Sequence, residues 1–341
     1  MFKNQRTSRL LGFIAGIVII AALFSYQLPY YIHKPGHADS LTGVIEVEGA
    51  TESEGDMHLV TIQSGRATPF QYLLASLRDY EDIVPVEDVL LEGMTDQQYR
   101  EMQLMMMESS QEASTVVAYE AAGKDIDISY NGVYVVSVVD GMPADGVLQS
   151  ADEIVEIDGQ QINEADDLID YVSSKQAGDT ISLTVNREEE TLHKEITLES
   201  LEELDGSVGM GIQLVTNRKV TVSPEVTFSS GGIGGPSAGL MFSLDIYNQL
   251  TDEDLTHGLQ VVGTGEIDYQ GNVGRIGGID KKVVAADRDG CDIFFAPNEN
   301  GREDSNYQIA KQTAEDIGTD MKIVPVDTFS DALEYLENVQ G

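Results

Sequence analysis

A serine and a lysine 45 residues apart carry the chemistry that this sequence can offer. Ser237 follows Gly234-Gly235-Pro236, and Ala238-Gly239 lead from it into the near-continuous apolar run 240–247. Proline is favoured in the first turn of a helix, where its missing N–H costs nothing. The pattern therefore predicts Ser237 at a helix N-terminus, among unpaired backbone N–H groups and the positive end of the helix dipole. Such a place stabilises a developing oxyanion. A serine nucleophile also needs a base. Lys282, in the run Gly277-Gly278-Ile279-Asp280-Lys281-Lys282, serves as one only if burial keeps its amine neutral.

Plainer readings compete with that chemistry. A lone serine at a helix start is ordinarily just a cap. Lys282, followed by Val283-Val284-Ala285-Ala286, also reads as a surface lysine lying over apolar neighbours. A glycine-rich run before a helix can cradle phosphate. The sequence, however, has no Gly-x-x-x-x-Gly-Lys-Ser/Thr, and the glycines at 231–239 do not fit Gly-x-Gly-x-x-Gly.

Four separated motifs settle the choice, because together they resemble the proteolytic domain of Lon-type serine proteases, which use a Ser-Lys dyad. Gly235-Pro236-Ser237-Ala238-Gly239 resembles the family's serine turn, and Thr264-Gly265-Glu266 its central Thr-Gly-Glu. Residues 271–278 are similar to its glycine-rich hairpin and Asp280 to Gly290 to its lysine helix. The resemblance spans Gly209 to Val339. It implies Ser237 as nucleophile, Lys282 as base, Thr264 as a hydrogen-bonding support for the lysine, and Gly234, Gly235 and Pro236 as the backbone around the oxyanion. Lys281 is then a solvated helix residue. One departure is Gly234, where the family usually has an acidic residue.

Other elements must hold these residues in place. Residues 259–264, 293–296 and 322–326 read as strands, and 280–289, 305–317 and 330–339 as helices. Residues 41–49 and 57–62 alternate like strands. Thr95 to Gln98 forms a capping-box pattern before a helix with Tyr99, Met102, Met106, Ala113 and Val117 at helical spacing, ended by Gly123. Packing of that methionine stripe against a neighbouring domain is expected in preference to a grip on substrate. Residues 131–198 resemble a PDZ domain of bacterial envelope proteases, on the sequence Gly132-Val133-Tyr134-Val135, the turn 141–146, the strand-and-turn 148–159, a helix near 164–175 and the closing strand 178–187. Ala151 stands where glycine is usual. PDZ domains add a peptide as an extra strand and hold its terminal carboxylate, so the resemblance implies a groove along Asn131, Gly132, Val133, Tyr134 and Val135. No clear Gly-Leu-Gly-Phe-like segment marks the carboxylate loop.

Composition bounds the partners. The net charge of the 341 residues is −39, and the first 38 carry four basic and no acidic residues, which leaves −43 for the remainder. Such a body repels nucleic acid and anionic lipid headgroups, and reads as a solubility adaptation to a saline or alkaline exterior. The lone Cys291 reads as a small buried hydrophobe. Leu10 to Phe24 is apolar or glycine, with Lys3, Arg6 and Arg9 before it and Tyr26, Tyr30 and Tyr31 after it. This predicts a single membrane-spanning anchor with the body extracytoplasmic, in preference to a cleaved signal peptide, because no Ala-x-Ala site follows.

The expected architecture is thus a cytoplasmic tip and transmembrane helix (1–33), membrane-proximal strands and an amphipathic helix (34–123), an α+β PDZ domain (124–200) and an α+β Lon-type proteolytic domain (201–341). This order resembles the membrane-bound PDZ–Lon (YlbL-like) proteases of Gram-positive bacteria. It implies an ATP-independent serine endopeptidase of the cell membrane, without metal or cofactor. Its substrates would be exposed or flexible envelope and secreted proteins, captured by their C-termini. A PDZ scaffold with an inactive protease domain is the alternative, and homo-oligomerisation is left open.

Overall fold

The computed structural model describes residues 2–50, 53–90, 94–187, 190–201, 206–251 and 254–339, with the side chains of residues 2–11, Ile19 and Leu201 excepted. The chain forms two compact units, one from residues 1–125 and 222–341, the other from residues 126–221. The first unit is discontinuous in sequence. Residues 34–123, read above as a separate membrane-proximal region, fold into the same unit as the serine and lysine motifs.

The first part of that unit begins with α1 (Phe2–Ser25), β1 (Tyr30–Ser40), β2 (Ile45–Val47) and β3 (Asp56–Arg66). α2 (Pro69–Ala75), β4 (Asp82–Pro85) and α3 (Asp96–Ala121) follow. Both α2 and α3 open with a capping box: the Thr68 and Thr95 hydroxyls accept from the backbone of Gln71 and Gln98, whose side chains reach back. Among the described residues no helix is long and apolar enough to cross a membrane. The side chains at the basic start of the expected anchor lie outside the described residues.

The inserted unit contains β5 (Asp125–Val138), β6 (Glu153–Ile157), β7 (Gln160–Gln161), α4 (Ala165–Ser173), β8 (Thr180–Arg187), β9 (Glu190–Thr197), β10 (Glu199–Leu201), β11 (Ser207–Gly209) and β12 (Ile212–Ser223). Its main sheet has the order β12-β5-β6-β8-β9, and its core gathers Val133, Val135, Ile154, Ile157, Leu168, Leu183 and Met210. The unit runs to residue 221, beyond the boundary at 200 expected from sequence.

The chain then returns to the first unit with β13 (Val226–Phe228), α5 (Gly239–Leu250), β14 (Gln260–Gly263), β15 (Glu266–Ile267) and β16 (Val273–Gly274). It closes with α6 (Ile279–Arg288), β17 (Ile293–Pro297), α7 (Asn306–Ile317), β18 (Lys322–Val326) and α8 (Phe329–Asn338). A six-stranded mixed sheet of order β18-β17-β14-β3-β1-β4 holds it together. β3, β14, β17 and β18 pair in parallel, while β1 and β4 add antiparallel. Parallel strands covered on both faces read as continuous apolar runs, as Ile293-Phe294-Phe295-Ala296 does. Alternate residues serve the two layers. Val60, Val262 and Phe294 pack with Ile279, Val283 and Ala286 of α6 and Ala310 of α7. On the other layer α5 is buried almost all round, in contact with α3, α8, β3 and β14. Cys291 is buried as a small hydrophobe, and burial with nearby Asp289, Asp292 and Asp56 pushes its thiol up to about 12.

Candidate active site

Three segments converge on one point between the layers. The turn before α5 brings Ser237, the end of β14 brings Thr264, and α6 brings Lys282. Lys282 Nζ lies 2.8 Å from Ser237 Oγ, 2.9 Å from Thr264 Oγ1 and 3.0 Å from the carbonyl oxygen of Val60 on β3. Lys282 is 3 % exposed and Thr264 fully buried. Among the described residues no carboxylate pairs with this ammonium group, and burial lowers its pKa to about 7.

The proton inventory of the cluster is restrictive. Val60 offers only a carbonyl acceptor. Thr264 spends its hydroxyl hydrogen on the carbonyl of Ser237, 2.9 Å away, so towards Lys282 its oxygen can only accept. A neutral lysine amine has two N–H donors and one lone pair. With both donors used on Val60 and Thr264, the lone pair faces the Ser237 hydroxyl. The geometry thus selects the amine orientation in which Ser237 donates to nitrogen.

α6 can bury this lysine because its start is shaped for close packing. Gly278 caps it in the left-handed region at φ 67°, and a Cβ there would come within 3.2 Å of Ile62 Cγ2. The serine turn is likewise locked. Gly265 N–H donates to the Ser237 carbonyl at 2.9 Å, and Leu240 N–H to the Gly265 carbonyl at 3.2 Å.

Several expectations need correction. Pro236 and Ser237 precede the helix instead of opening it: α5 starts at Gly239, capped by Ala238. Gly235 N–H, expected to face an oxyanion, donates to the Gln103 carbonyl of α3 at 2.7 Å. The N–H groups of Ser237 and Ala238 have no acceptor among the described residues. Lys281 is not solvated. It is 2 % exposed, 2.5 Å from Asp82 and 3.0 Å from Asp280. Burial works to lower its pKa, but hydrogen bonds and charge from those carboxylates outweigh it and the net shift is upward.

α3 supplies residues that the sequence did not mark. Ser110 Oγ donates to the Pro236 carbonyl at 3.0 Å and Ser114 Oγ to the Gly239 carbonyl at 2.9 Å. A Cβ on Gly234 would sit 2.8 Å from Gln103 Cβ, so α3 fills the place that an acidic side chain at 234 would occupy. The stripe divides: Ala113 and Val117 are buried and Met102 is half-buried, whereas Met106 is exposed.

In the inserted unit, Asn131 to Val135 lie on β5, an inner strand between β12 and β6, with Val133 opposite Ile154 and Tyr134 opposite Glu153. No edge is free there for an added strand. Asn131 lines a cavity of about 480 Å³ shared with Glu153 and Glu156, whose charge repels a carboxylate. The edge strands are β12 and β9, and of these β12 is tied to the start of α4 by the Ala165 N–H to Thr216 Oγ1 bond of 2.9 Å. Gly209-Met210-Gly211-Ile212 leads into β12. Met210 is buried, and Gly211 sits at φ 75° where a Cβ would meet Met142 Cβ at 2.2 Å. Its small–apolar–glycine–apolar pattern was the available signal, but it lies past residue 200.

Residues 216–338 match the family described as the Lon protease (S16) C-terminal proteolytic domain, and residues 105–198 match the PDZ domain family. The chain is 34 % identical over 102 residues to the Lon protease of Aster yellows witches'-broom phytoplasma and 37 % identical over 101 residues to that of Campylobacter jejuni. Each stretch covers 30 % of this chain and 12 % of the relative, so the chain spans about an eighth of the length of these curated relatives. Among solved structures it is similar to the PDZ domain of an SdrC-like protein from Listeria monocytogenes, at 38 % identity over 26 % of this chain and 93 % of that one, with a TM-score of 0.25. The corresponding domain from Listeria innocua is 37 % identical over 24 % of this chain and 92 % of that one, with a TM-score of 0.23. The chain therefore carries a PDZ domain and a Lon-type C-terminal proteolytic domain, the latter a serine-peptidase domain.

Proposed function

We propose that this protein is a membrane-anchored, ATP-independent serine endopeptidase whose dyad is Ser237 and Lys282, acting outside the cytoplasmic membrane. The carrying observation is the 2.8 Å approach of Lys282 Nζ to Ser237 Oγ, with no carboxylate among the described residues paired to the amine. The Ser237 hydroxyl proton moves to the amine as Oγ bonds to the scissile carbonyl carbon. The oxyanion is held by the N–H groups of Ser237 and Ala238. The ammonium then protonates the departing amine, and water, deprotonated by the same lysine, releases the acyl group. Thr264 and the Val60 carbonyl keep the lone pair aimed at the serine.

The inserted PDZ domain selects substrates. A peptide adds to the free edge of β12 opposite α4, with its terminal carboxylate at the backbone of residues 209–212. The apolar stretch ending at Phe24 and the basic residues before it support the anchor and its orientation. The proposed substrates are flexible or already exposed chains. A serine-reactive fluorophosphonate is expected to label the wild type and not Ser237→Ala. Absence of labelling in the folded wild type would leave the PDZ scaffold as the better reading.

A further inference from the structure

One surface of the proteolytic unit carries a second built feature. α2 exposes Phe70 and Leu73 one turn apart, and the turn that follows it exposes Leu77, 79 % accessible. The stripe is continuous with α1. The Phe24 and Phe70 rings meet at a tilt of 32° with centroids 4.7 Å apart, and α1 itself exposes Phe13, Ile14, Ile17, Val18 and Leu23. Only Tyr26 to Pro29 separate α1 from β1, and Leu28 N–H is tied to the carbonyl of Ala67, next to the start of α2, at 2.8 Å. Four residues reach at most ~14 Å. A spanning α1 therefore holds α2 against the bilayer.

Apolar contact alone would bring a body of −43 against anionic headgroups. Beside α2, however, lies a cavity of about 230 Å³ that Lys34, Arg66 and Arg78 line together with Ser64, Gln71 and the carboxylate of Glu81. Arg66 pairs with Asp96 at 2.9 Å and Arg78 with Glu81 at 3.0 Å, whereas Lys34 makes no ion pair among the described residues. Three cations against the single carboxylate of Glu81 leave the lining net cationic, and with the neutral donors beside Lys34 it suits a single phosphodiester.

We propose that the proteolytic unit is seated on an anionic bilayer, with Phe70, Leu73 and Leu77 in the interface and a lipid phosphate in the Lys34–Arg66–Arg78 cavity. The seating rests on the reading of α1 as an anchor. It also sets where cleavage occurs. β3 lines the cavity with residues 63–66 and supplies the Val60 carbonyl to Lys282, three residues or ~10 Å along the strand. The dyad then works close to the headgroups, on chains lying along the membrane surface.

The test uses the full chain in vesicles, in a Cys291→Ser background, with a bimane label on one introduced cysteine and a nitroxide quencher on a shallow acyl carbon. Labels at Ile17→Cys, Leu73→Cys and Leu77→Cys are compared with Gln312→Cys on α7, beside the opposite edge of the sheet. In vesicles of equal phosphatidylglycerol and phosphatidylcholine, the first three are expected to be quenched and the last not. In phosphatidylcholine alone, quenching at 73 and 77 should fall while that at 17 persists. Lys34→Glu or Arg78→Glu should each weaken the seating on the order of fivefold or more. Quenching at 17 with none at 73 in either composition would overturn the seating and spare the anchor. No quenching at 17 would overturn the anchor and the seating with it. Quenching at 73 that ignores phosphatidylglycerol and both charge reversals would overturn the phosphate cavity.

Discussion

Lys281 and Lys282 are neighbours on α6, buried to almost the same degree, 2 % and 3 % exposed, yet their amines are driven in opposite directions. Lys281 meets two carboxylates, Asp82 and Asp280, and stays charged. Among the described residues Lys282 meets only neutral oxygens, those of Ser237, Thr264 and Val60, and its pKa falls to about 7. Both side chains are covered, but the Lys282 amine lies deeper, so depth and partners act together. The partners differ in whether they carry the charge that would hold the proton. Adjacent residues on a helix point about 100° apart, and that angle is enough to send one amine to the ion-paired rim and the other to the serine.

The largest expected effect breaks this contrast at the amine. Lys282→Arg should lower peptide hydrolysis by at least ~10³-fold, because a guanidinium keeps its proton and the nucleophile loses its base. Lys281→Arg preserves the charge that Asp82 and Asp280 require and should leave turnover within a few-fold. Steady-state kinetics on a short peptide would check both. Comparable loss in the two variants would mean that the lysines are not functionally distinct.

A second expectation concerns pH. Only the neutral form of Lys282 accepts the serine proton, so hydrolysis should rise about tenfold per unit below pH 7 and level off above it. Asp245 on α5 also lies near this range, its pKa raised to about 7 by burial despite the Gln249 hydrogen bond. His33, on β1 against α6, titrates below its ordinary value through burial and the charge of Lys281. The profile should therefore be repeated in Asp245→Asn and His33→Gln. A rise that vanishes in either variant would assign it to that group and not to Lys282.

Ser237, Thr264 and Lys282 were legible because each sits in a local glycine pattern that the turn or helix start requires. The contributions of Val60 and Gln103 were not, since both act through backbone carbonyls, which any residue provides. α3 was further hidden by the inserted unit, which puts its Ser110 and the Pro236 that it holds 126 positions apart. The same distance in sequence misled the reading of Lys281: its solvent-facing assignment ignored Asp82, which the sheet order β1-β4 places beside α6. In the PDZ domain Asn131 to Val135 have the alternation of a groove strand, but alternation does not say whether a strand ends up inner or at an edge. Only the pairing of β12 outside β5 decides that.

A smaller effect sharpens the role of the hydroxyl that orients the amine. Thr264→Ala removes an acceptor for Lys282 and the tie to the Ser237 carbonyl, but leaves Val60 in place. A hydrogen bond of ~1.4 kcal/mol corresponds to about tenfold in rate. Thr264→Ser, which keeps the oxygen, should recover most of that loss. Failure of serine to rescue would show that the threonine methyl, and not its hydroxyl, matters.

The smallest expected effect is on stability, and its sign separates the two lysines. Lys281 has a raised folded pKa, so its contribution is fully present below its ordinary value near 10.5 and is lost as pH rises through the folded value. Asp82→Asn should therefore destabilise at pH 7 and matter progressively less in strong alkali. Asp82 is 59 % exposed, which limits the cost to about 0.5–1 kcal/mol. Lys282 has the opposite linkage. Its folded pKa of about 7 lies below the ordinary 10.5, so between those values the unfolded chain binds the extra proton and stability rises with pH. Lys282→Met should remove that rise and gain most over the wild type below pH 7, where the buried amine must carry charge. Urea unfolding across pH 6 to 11 would measure both slopes. Parallel slopes for Asp82→Asn and Lys282→Met, each relative to wild type, would refute the idea that two buried neighbours are held in opposite charge states by their depth and partners.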